Sequence, residues 1–258
     1  MKLKFVSILK IASIAIIATL TLTASLIIIY DKLANWSGES DSYCNAVRLD
    51  VADEITTSSS DDFLSKLKLA QENDQVKAIF VSFDSQGGSL SGGEAIRSAL
   101  ASSTKPIISY VRDSCYSSCF LALTGIKQIN LGSYSDVGGI GVIMEHYDNT
   151  VKNQKDGVAY DAITTGKYKN IATPDRKMTA DERAVLQDQT NYLGDIFFNQ
   201  IKTSRNLSDE QMAKVKNAET YNGQRAIDAG LADQILTWPE VMEKVKLETG
   251  DDQIKWCQ

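Results

Sequence analysis

The chain has one histidine in 258 residues, and that scarcity narrows its chemistry. A Ser-His-Asp triad would have His146 as its sole base, and His146 follows an apolar run where a turn or core histidine is the ordinary occupant. No His/Cys/Glu cluster has zinc-site spacing, so neither a metal nor another cofactor is expected. Gly87-Gly88 before a helix suggests a phosphate loop, yet neither G-x-x-x-x-G-K-[ST] nor G-x-G-x-x-G occurs. A basic stripe is missing as well. Net charge is −6, and beyond residue 32 there are 23 basic against 32 acidic side chains, a balance that argues against nucleic acid. No repeat of 20–50 residues is visible.

What is present begins with a membrane signal. Lys2, Lys4 and Lys10 precede Ile11 to Tyr30, twenty residues without a charge and long enough to span a bilayer as a helix. The lysines favour a cytoplasmic N-terminus, which puts the body on the periplasmic side of an inner or plasma membrane. A cleaved signal peptide is the rival reading, with an apolar region of about 7–15 residues and small residues at its cleavage site. This run is longer and ends Ile27-Ile28-Ile29-Tyr30-Asp31-Lys32, so an uncleaved single-pass anchor is expected. The chain then divides into an n-region and anchor (1–32), a polar linker (33–43) and one domain (44–258). At 43% hydrophobic and 23% charged, its composition is that of a globular protein with a substantial core.

Alternating Val47, Leu49 and Val51 predict a first strand, Ala46 to Val51. Ser60 is placed to cap a helix running to about Glu72. A strand over Ala78 to Phe83 follows, ending in Asp84-Ser85-Gln86-Gly87-Gly88-Ser89 before a helix from Gly92 to Ala101. Strand Pro106 to Val111 leads into Asp113 to Gly125, whose apolar helical part Gly125 can stop. A short strand (Gln128 to Leu131), the turn Gly138-Gly139-Ile140-Gly141, a helix near Asp148 to Lys155 and a strand from Val158 to Thr164 come next. The capping box Thr179-Ala180-Asp181-Glu182 opens the longest helix, to about Thr203, with Leu186, Leu193, Ile196, Phe197 and Ile201 to bury. Repeated strand–turn–helix order predicts an α/β fold with a mostly parallel sheet. Ligands in such folds sit beyond the carboxyl ends of strands, where both Gly87-Gly88 and Ser117 fall.

Ser117 lies at a strand-to-helix turn, near the positive end of a helix dipole that favours a developing anion. The same pattern fits serines that cap or pack a helix start. A serine nucleophile without histidine needs another base, and a lysine serves if burial keeps it neutral. Thr164 to Ile171 flanks Lys167 and Lys169 with apolar and aromatic groups, although exposed turn lysines look alike in isolation. Four cysteines sit in a disulfide-permissive compartment. Cys115 and Cys119 flank Ser117 at −2 and +2, a separation of about 6 Å on a helix, so a disulfide and two buried small hydrophobes both remain open. Cys44 with Cys257 is the other pairing.

Five segments, in order over about residues 45–240, resemble the signal peptide peptidase A family, the S49 serine peptidases. Strand Val76 to Phe83 with Asp84-Ser85-Gln86-Gly87-Gly88-Ser89 is similar to that family's strand and N-S-P-G-G-[GS] element. Tyr116-Ser117-Ser118-Cys119-Phe120-Leu121 resembles its A-S-G-G-Y-Y nucleophile segment, and Val137 to Ile143 its T-G-S-[IL]-G-V-I. Thr165 to Thr179 matches S-G-x-x-K-[DN]-I-x-[ST]-P-x-R-x-M-T, and Tyr221 to Asp233 matches Y-x-G-x-x-A-x-x-x-G-L-x-D.

The resemblance implies a ClpP/crotonase-like α/β spiral with Ser117 as nucleophile and Lys169 as general base. It implies an oxyanion hole of the Gly88 and Ser118 backbone N–H groups, and a peptide groove bordered by Gly87, Gly138, Gly139 and Ile140. It also implies homo-oligomeric rings in which Lys169 acts on a neighbouring protomer's Ser117. The expected activity is a membrane-anchored Ser-Lys endopeptidase of remnant signal peptides or other extracytoplasmic polypeptides. The alternatives are a catalytically weak ring-forming scaffold that keeps the peptide groove, or a crotonase-type acyl-CoA enzyme, which an extracytoplasmic body would not supply with CoA. Two departures stand out. Ser118 and Cys119 replace Gly-Gly after the nucleophile, and Ser118 competes for that role. Gly139 stands where the family has the serine that orients the lysine, leaving Ser135, Asp136 or a water to substitute.

Overall fold

A computed structural model of the chain describes residues 43–257 and, ahead of them, Thr23, Ser25, Leu26, Ile27 and Tyr30. Two units emerge, Met1–Tyr43 and Cys44–Gln258. In the first, those five scattered residues are helical and exposed. The rest of the expected anchor at Ile11 to Tyr30, and the linker up to residue 42, lie outside the described residues. No helix among the described residues is long and apolar enough to cross a membrane.

In the second unit, alternation of side chains sets the layers. Along β2 (Ala78–Gly88), Ile79, Val81 and Phe83 point into one core, while Ala78 and Phe80 enter another on the opposite sheet face. The strand is buried on both faces, as a central parallel strand should be. It pairs in parallel with β1 (Ala46–Ile55) and with β3 (Ile107–Tyr116). Two short strands, β4 (Asn130–Leu131) and β7 (Gln234–Ile235), complete the order β1-β2-β3-β4-β7. β5 (Asp136–Gly138) runs parallel beside the end of β3, and β6 (Thr220–Asn222) is antiparallel to β5. A mostly parallel mixed α/β fold is therefore observed.

Helices α1 (Thr57–Glu72), α2 (Leu90–Ala101) and α3 (Ser118–Leu123) contribute Phe63, Leu67, Ile96, Leu100 and Phe120 to the larger core. Five cap-competent residues, Thr56 to Ser60, stand at the start of α1, and the end of β1 at Ile55 selects among them. Thr56 is the N-cap, in a reciprocal box with Ser59, whereas Ser60 is buried and donates to the Thr57 carbonyl (2.8 Å). The other sheet face is covered by α8 (Trp238–Thr249), through Val241 and Val245, with Trp238 edge-on to Phe80 at 5.7 Å. α4 (Thr150–Lys155), α5 (Ala180–Arg205) and α6 (Asp209–Val215) lie between β5 and β6 in the chain, and α7 (Gly223–Asp228) between β6 and β7. The Thr179/Glu182 box does open α5, which buries Phe197 and Ile201 but leaves Ile196 about half exposed.

The expected strand at Val158 to Thr164 is irregular and exposed. Its residues find no strand to pair with in the described chain, so a β-rich sequence remains without a ladder.

Both cysteine pairs are disulfides, Cys44–Cys257 and Cys115–Cys119, with Cα separations of 5.0 and 5.2 Å. In the chain-entropy account, closing a loop of 213 residues stabilises by about 5 kcal/mol and closing one of four by about 2 kcal/mol.

Candidate active site

The site forms where the parallel strands lose register. β1 shifts between Ala52 and Glu54, around Asp53 at φ +57°, and β2 shifts against β3 between Phe83 and Ser85. The two irregularities are tied together, because the Ser85 hydroxyl donates to the Asp53 carbonyl and accepts from Gly87 N–H (3.1 Å). An open groove lined by Asp53, Glu54, Asp84 to Gln86, Gly87 and Gly88 results.

β3 delivers Ser117 to this edge. Its backbone sits at φ +54°, ψ −124°, a region that costs a non-glycine residue about 1–3 kcal/mol and occurs where surrounding structure over-determines it. The Ser117 N–H donates to the Gly138 carbonyl (2.9 Å), and its own carbonyl accepts from Leu121 N–H (3.1 Å). The hydroxyl caps nothing, although Ser117 occupies the N-cap position of α3. The capping account of this serine therefore fails, and a partly exposed hydroxyl is left at a helix start.

Gly87 explains how a strand can pass so close. A Cβ there would lie 2.7 Å from the Tyr116 carbonyl oxygen, 2.9 Å from Ser117 Cβ and 3.1 Å from Ser118 N. Gly87 and Gly88 both have positive φ, +98° and +141°, so glycine is required for conformation and for clearance. Ser118, the first residue of α3, offers an N–H with no intrahelical acceptor. Its side chain is wholly buried, packed at Gly93 of α2, with the hydroxyl unpaired. The Ser118 hydroxyl is thus enclosed, whereas Ser117 is partly exposed.

On the far side, Gly138 and Gly139 also take positive φ, and the Gly139 N–H donates to the Glu219 carbonyl (3.1 Å). A Cβ on Gly139 would stand 3.3 Å from Tyr116 Cβ and 3.7 Å from Ser117 N, so this position faces the elbow. The Ile140 side chain is buried in the core. Ser135 is committed to the backbone, donating to Val111 O (2.7 Å) and Arg112 O (3.1 Å), so its hydroxyl does not replace the one missing at Gly139. Asp136 accepts from Tyr116 OH (3.1 Å) and has its other oxygen buried without a partner. Burial, then the Asp136 carboxylate, pushes the Tyr116 phenol up to about 12. Sequence reasoning missed this pair, because only the register of β3 with β5 brings the two side chains together.

Lys169 lies in an exposed turn, its N–H donating to the Gly166 carbonyl (3.1 Å). Among the described residues no hydrogen bond or ion pair joins it to Ser117. Lys167, the rival, is engaged: its ammonium pairs with Asp181 (2.7 Å) and sits 5.1 Å from the Tyr168 ring centre. The turn is held from behind by Arg176, which donates to the Asn170 carbonyl (3.2 Å) and forks onto buried Glu182. That guanidinium, helped by the Thr179 N–H, lowers the Glu182 carboxyl to about 2. His146 bonds the Thr173 carbonyl (3.0 Å), not the serine.

Comparison with known proteins gives a consistent picture. The family model described as Peptidase family S49 matches residues 99–250. "Putative protease MJ0651" of Methanocaldococcus jannaschii is 28% identical over 188 residues, covering 71% of this chain and 60% of that protein. "Putative protease slr0021" of Synechocystis is 26% identical over 231 residues, covering 84% and 83%. The chain thus spans under two thirds of the length of the first of these relatives. Among solved structures, a serine-to-alanine mutant of the 1510-N membrane-bound stomatin-specific protease superposes with a TM-score of 0.56 at 15% identity, covering 84% of this chain and 99% of that one. A lysine-to-alanine mutant of the same protease, in complex with a substrate peptide, gives a TM-score of 0.53 at 16% identity, covering 80% and 81%.

Proposed function

The chain belongs to peptidase family S49, and from that premise we propose that it is a membrane-anchored serine endopeptidase with Ser117 as nucleophile and Lys169 as general base. The observation that carries this reading is Ser117 itself: a non-glycine residue in a left-handed backbone, hydroxyl uncapped, pressed against Gly87. In acylation, Ser117 Oγ attacks the scissile carbonyl carbon and its proton passes to Lys169 Nζ. The Gly88 and Ser118 N–H groups hold the oxyanion, a contribution of about 10²–10³ per donor. The departing amine takes the proton from Lys169, and water then cleaves the acyl-enzyme with the same lysine as base. A peptide laid along Gly87, Gly88 and Gly138 in extended form would add as a strand. The mutants named in the two structural relatives, a serine and a lysine, fit this pair of roles.

Lys169 reaches Ser117 from a second copy in this proposal. Its segment is poorly covered, with Val158 and Tyr160 part exposed and Ile163 99% exposed, and a strand-like stretch there lacks a ladder. A neighbouring protomer that buries these side chains would also desolvate Lys169 and favour its neutral form. A closed ring of a ClpP/crotonase-like spiral satisfies both needs, and the substrates would be remnant signal peptides or other extracytoplasmic chains delivered at the membrane.

The test is hydrolysis of casein and fluorogenic peptides by the detergent-solubilised full chain, against Ser117→Ala and Lys169→Ala. Both substitutions are expected to abolish turnover. Activity that survives Ser117→Ala refutes the nucleophile assignment. An inactive wild type at every pH favours the peptide-binding scaffold instead, a reading supported by the hydroxyl missing at Gly139.

A further inference from the structure

We infer that the Cys115–Cys119 disulfide is a positioning device for the nucleophile, spanning Ser117 and holding the strand end and helix start apart at the angle that leaves the hydroxyl uncapped. The inference rests on the reading of Ser117 as the attacking group.

Helix starts are ordinarily held by a side chain that accepts a first-turn N–H. Ser117 does not do so, and α3 has six residues with no acidic side chain in its first turn. A hydroxyl that must stay available for chemistry cannot also serve as the cap, so the turn has to be restrained another way. The disulfide supplies that restraint. Cys115 is fixed in the sheet, in register with Ser85 on one side and Val137 on the other, and Cys119 is fully buried in α3. A bond between them leaves Ser117 at the apex of a closed loop. Because that loop is short, its restraint on the unfolded chain is the smaller of the two disulfides, and its effect falls on the turn itself.

The experiment uses the full chain in detergent: wild type, Cys115→Ala/Cys119→Ala, and Cys44→Ala/Cys257→Ala. Three quantities are read: the second-order rate of fluorophosphonate labelling at Ser117, kcat and KM on a peptide substrate, and Tm. The Cys115→Ala/Cys119→Ala variant is expected to label and turn over about 10–100-fold more slowly, as a misplacement of about 1 Å does, with KM within about twofold. Cys44→Ala/Cys257→Ala is expected to lose more Tm and keep the labelling rate. A second arm covers the case in which the first variant does not fold. In the Cys44→Ala/Cys257→Ala background, a dithiol reductant, applied in mild denaturant because both sulfurs are buried, gives two electrons and two protons to the remaining disulfide, which opens to two thiols, counted after the denaturant is removed, as the reductant closes to its own disulfide. Labelling should fall by the same factor and return on reoxidation with glutathione disulfide. A labelling rate within twofold of wild type without the Cys115–Cys119 bond overturns the inference alone. A wild type that neither labels nor hydrolyses overturns the peptidase reading with it.

Discussion

Adding one methyl group at Gly87 probes the close approach on which the proposed catalytic geometry depends. The new Cβ of Gly87→Ala would meet the Tyr116 carbonyl oxygen at 2.7 Å, Ser117 Cβ at 2.9 Å and Ser118 N at 3.1 Å. Two of these are backbone atoms and the third is a Cβ, so no flexible side chain can swing aside. The residue would also keep φ near +98°, outside the range alanine accepts. Backbone strain of about 1–3 kcal/mol and overpacking of about 1–3 kcal/mol together amount to roughly 2–6 kcal/mol. In a domain of this size that lowers Tm by roughly 5–20 °C. Relief requires β2 and the elbow to part by several tenths of an ångström, which withdraws the Ser118 N–H from the oxyanion position, and kcat should fall about 10²–10³-fold. Thermal unfolding and peptide hydrolysis are measured beside Gly194→Ala in α5, where the added carbon meets only the Phe198 ring at 3.6 Å and a change within about 1 kcal/mol is expected. A Gly87→Ala protein with wild-type kcat and Tm would refute the placement of Gly87 against the nucleophile.

Mixing Ser117→Ala with Lys169→Ala subunits is expected to recover about a quarter of wild-type activity if each site draws on two copies, and none if both residues act within one chain. Glu182 has its carboxyl lowered from 4.5 to about 2 by Arg176, so its stabilisation is present above the unfolded value and lost as pH falls from about 4.5 toward 2. Glu182→Gln should therefore flatten the acid unfolding curve in that window, and it should also lower kcat by loosening the turn that Arg176 holds through Asn170. Loss of Cys44–Cys257 by double alanine substitution should cost about 5 kcal/mol in a denaturant titration of oxidised protein. Gly139→Ser places a hydroxyl carbon 3.7 Å from Ser117 N at φ +56°; kcat should rise as the lysine gains an orienting partner, and an unchanged kcat would show that no such partner is needed.

Legibility followed the range of the interactions. β1 announces itself because its buried side chains alternate, β2 and β3 because they are short continuous apolar runs buried on both faces, and the Thr179/Glu182 box because its two hydrogen bonds close within four residues. Ser60 was the expected cap and Thr56 is the real one: every residue from Thr56 to Ser60 is chemically able to cap, and the choice belongs to where β1 stops. Ser117 stood out by spacing, but its positive φ did not, since glycine is the only residue that advertises that conformation. Gly87 is such a glycine, at φ +98° and pressed against Tyr116 and Ser117. The Tyr116–Asp136 hydrogen bond depends on the register of strands twenty residues apart and was out of reach. Val158 to Thr164 carries strand propensity that a single chain leaves unsatisfied, so its character was legible while its partner was not.

The Cys44–Cys257 bond has a topological consequence. It joins the residue ahead of the first strand to the penultimate residue of the chain, so residues 44–257 form a covalent circle. Tension applied from the segment before residue 44 divides at that bond between β1 and the tail that Trp256 lays beside Ala46, and the edge strand is not peeled from one end. A protease that nicks the exposed turn around Lys169 opens the circle without releasing either piece. Such nicked molecules should migrate as a single species until the disulfide is reduced, and then separate into two.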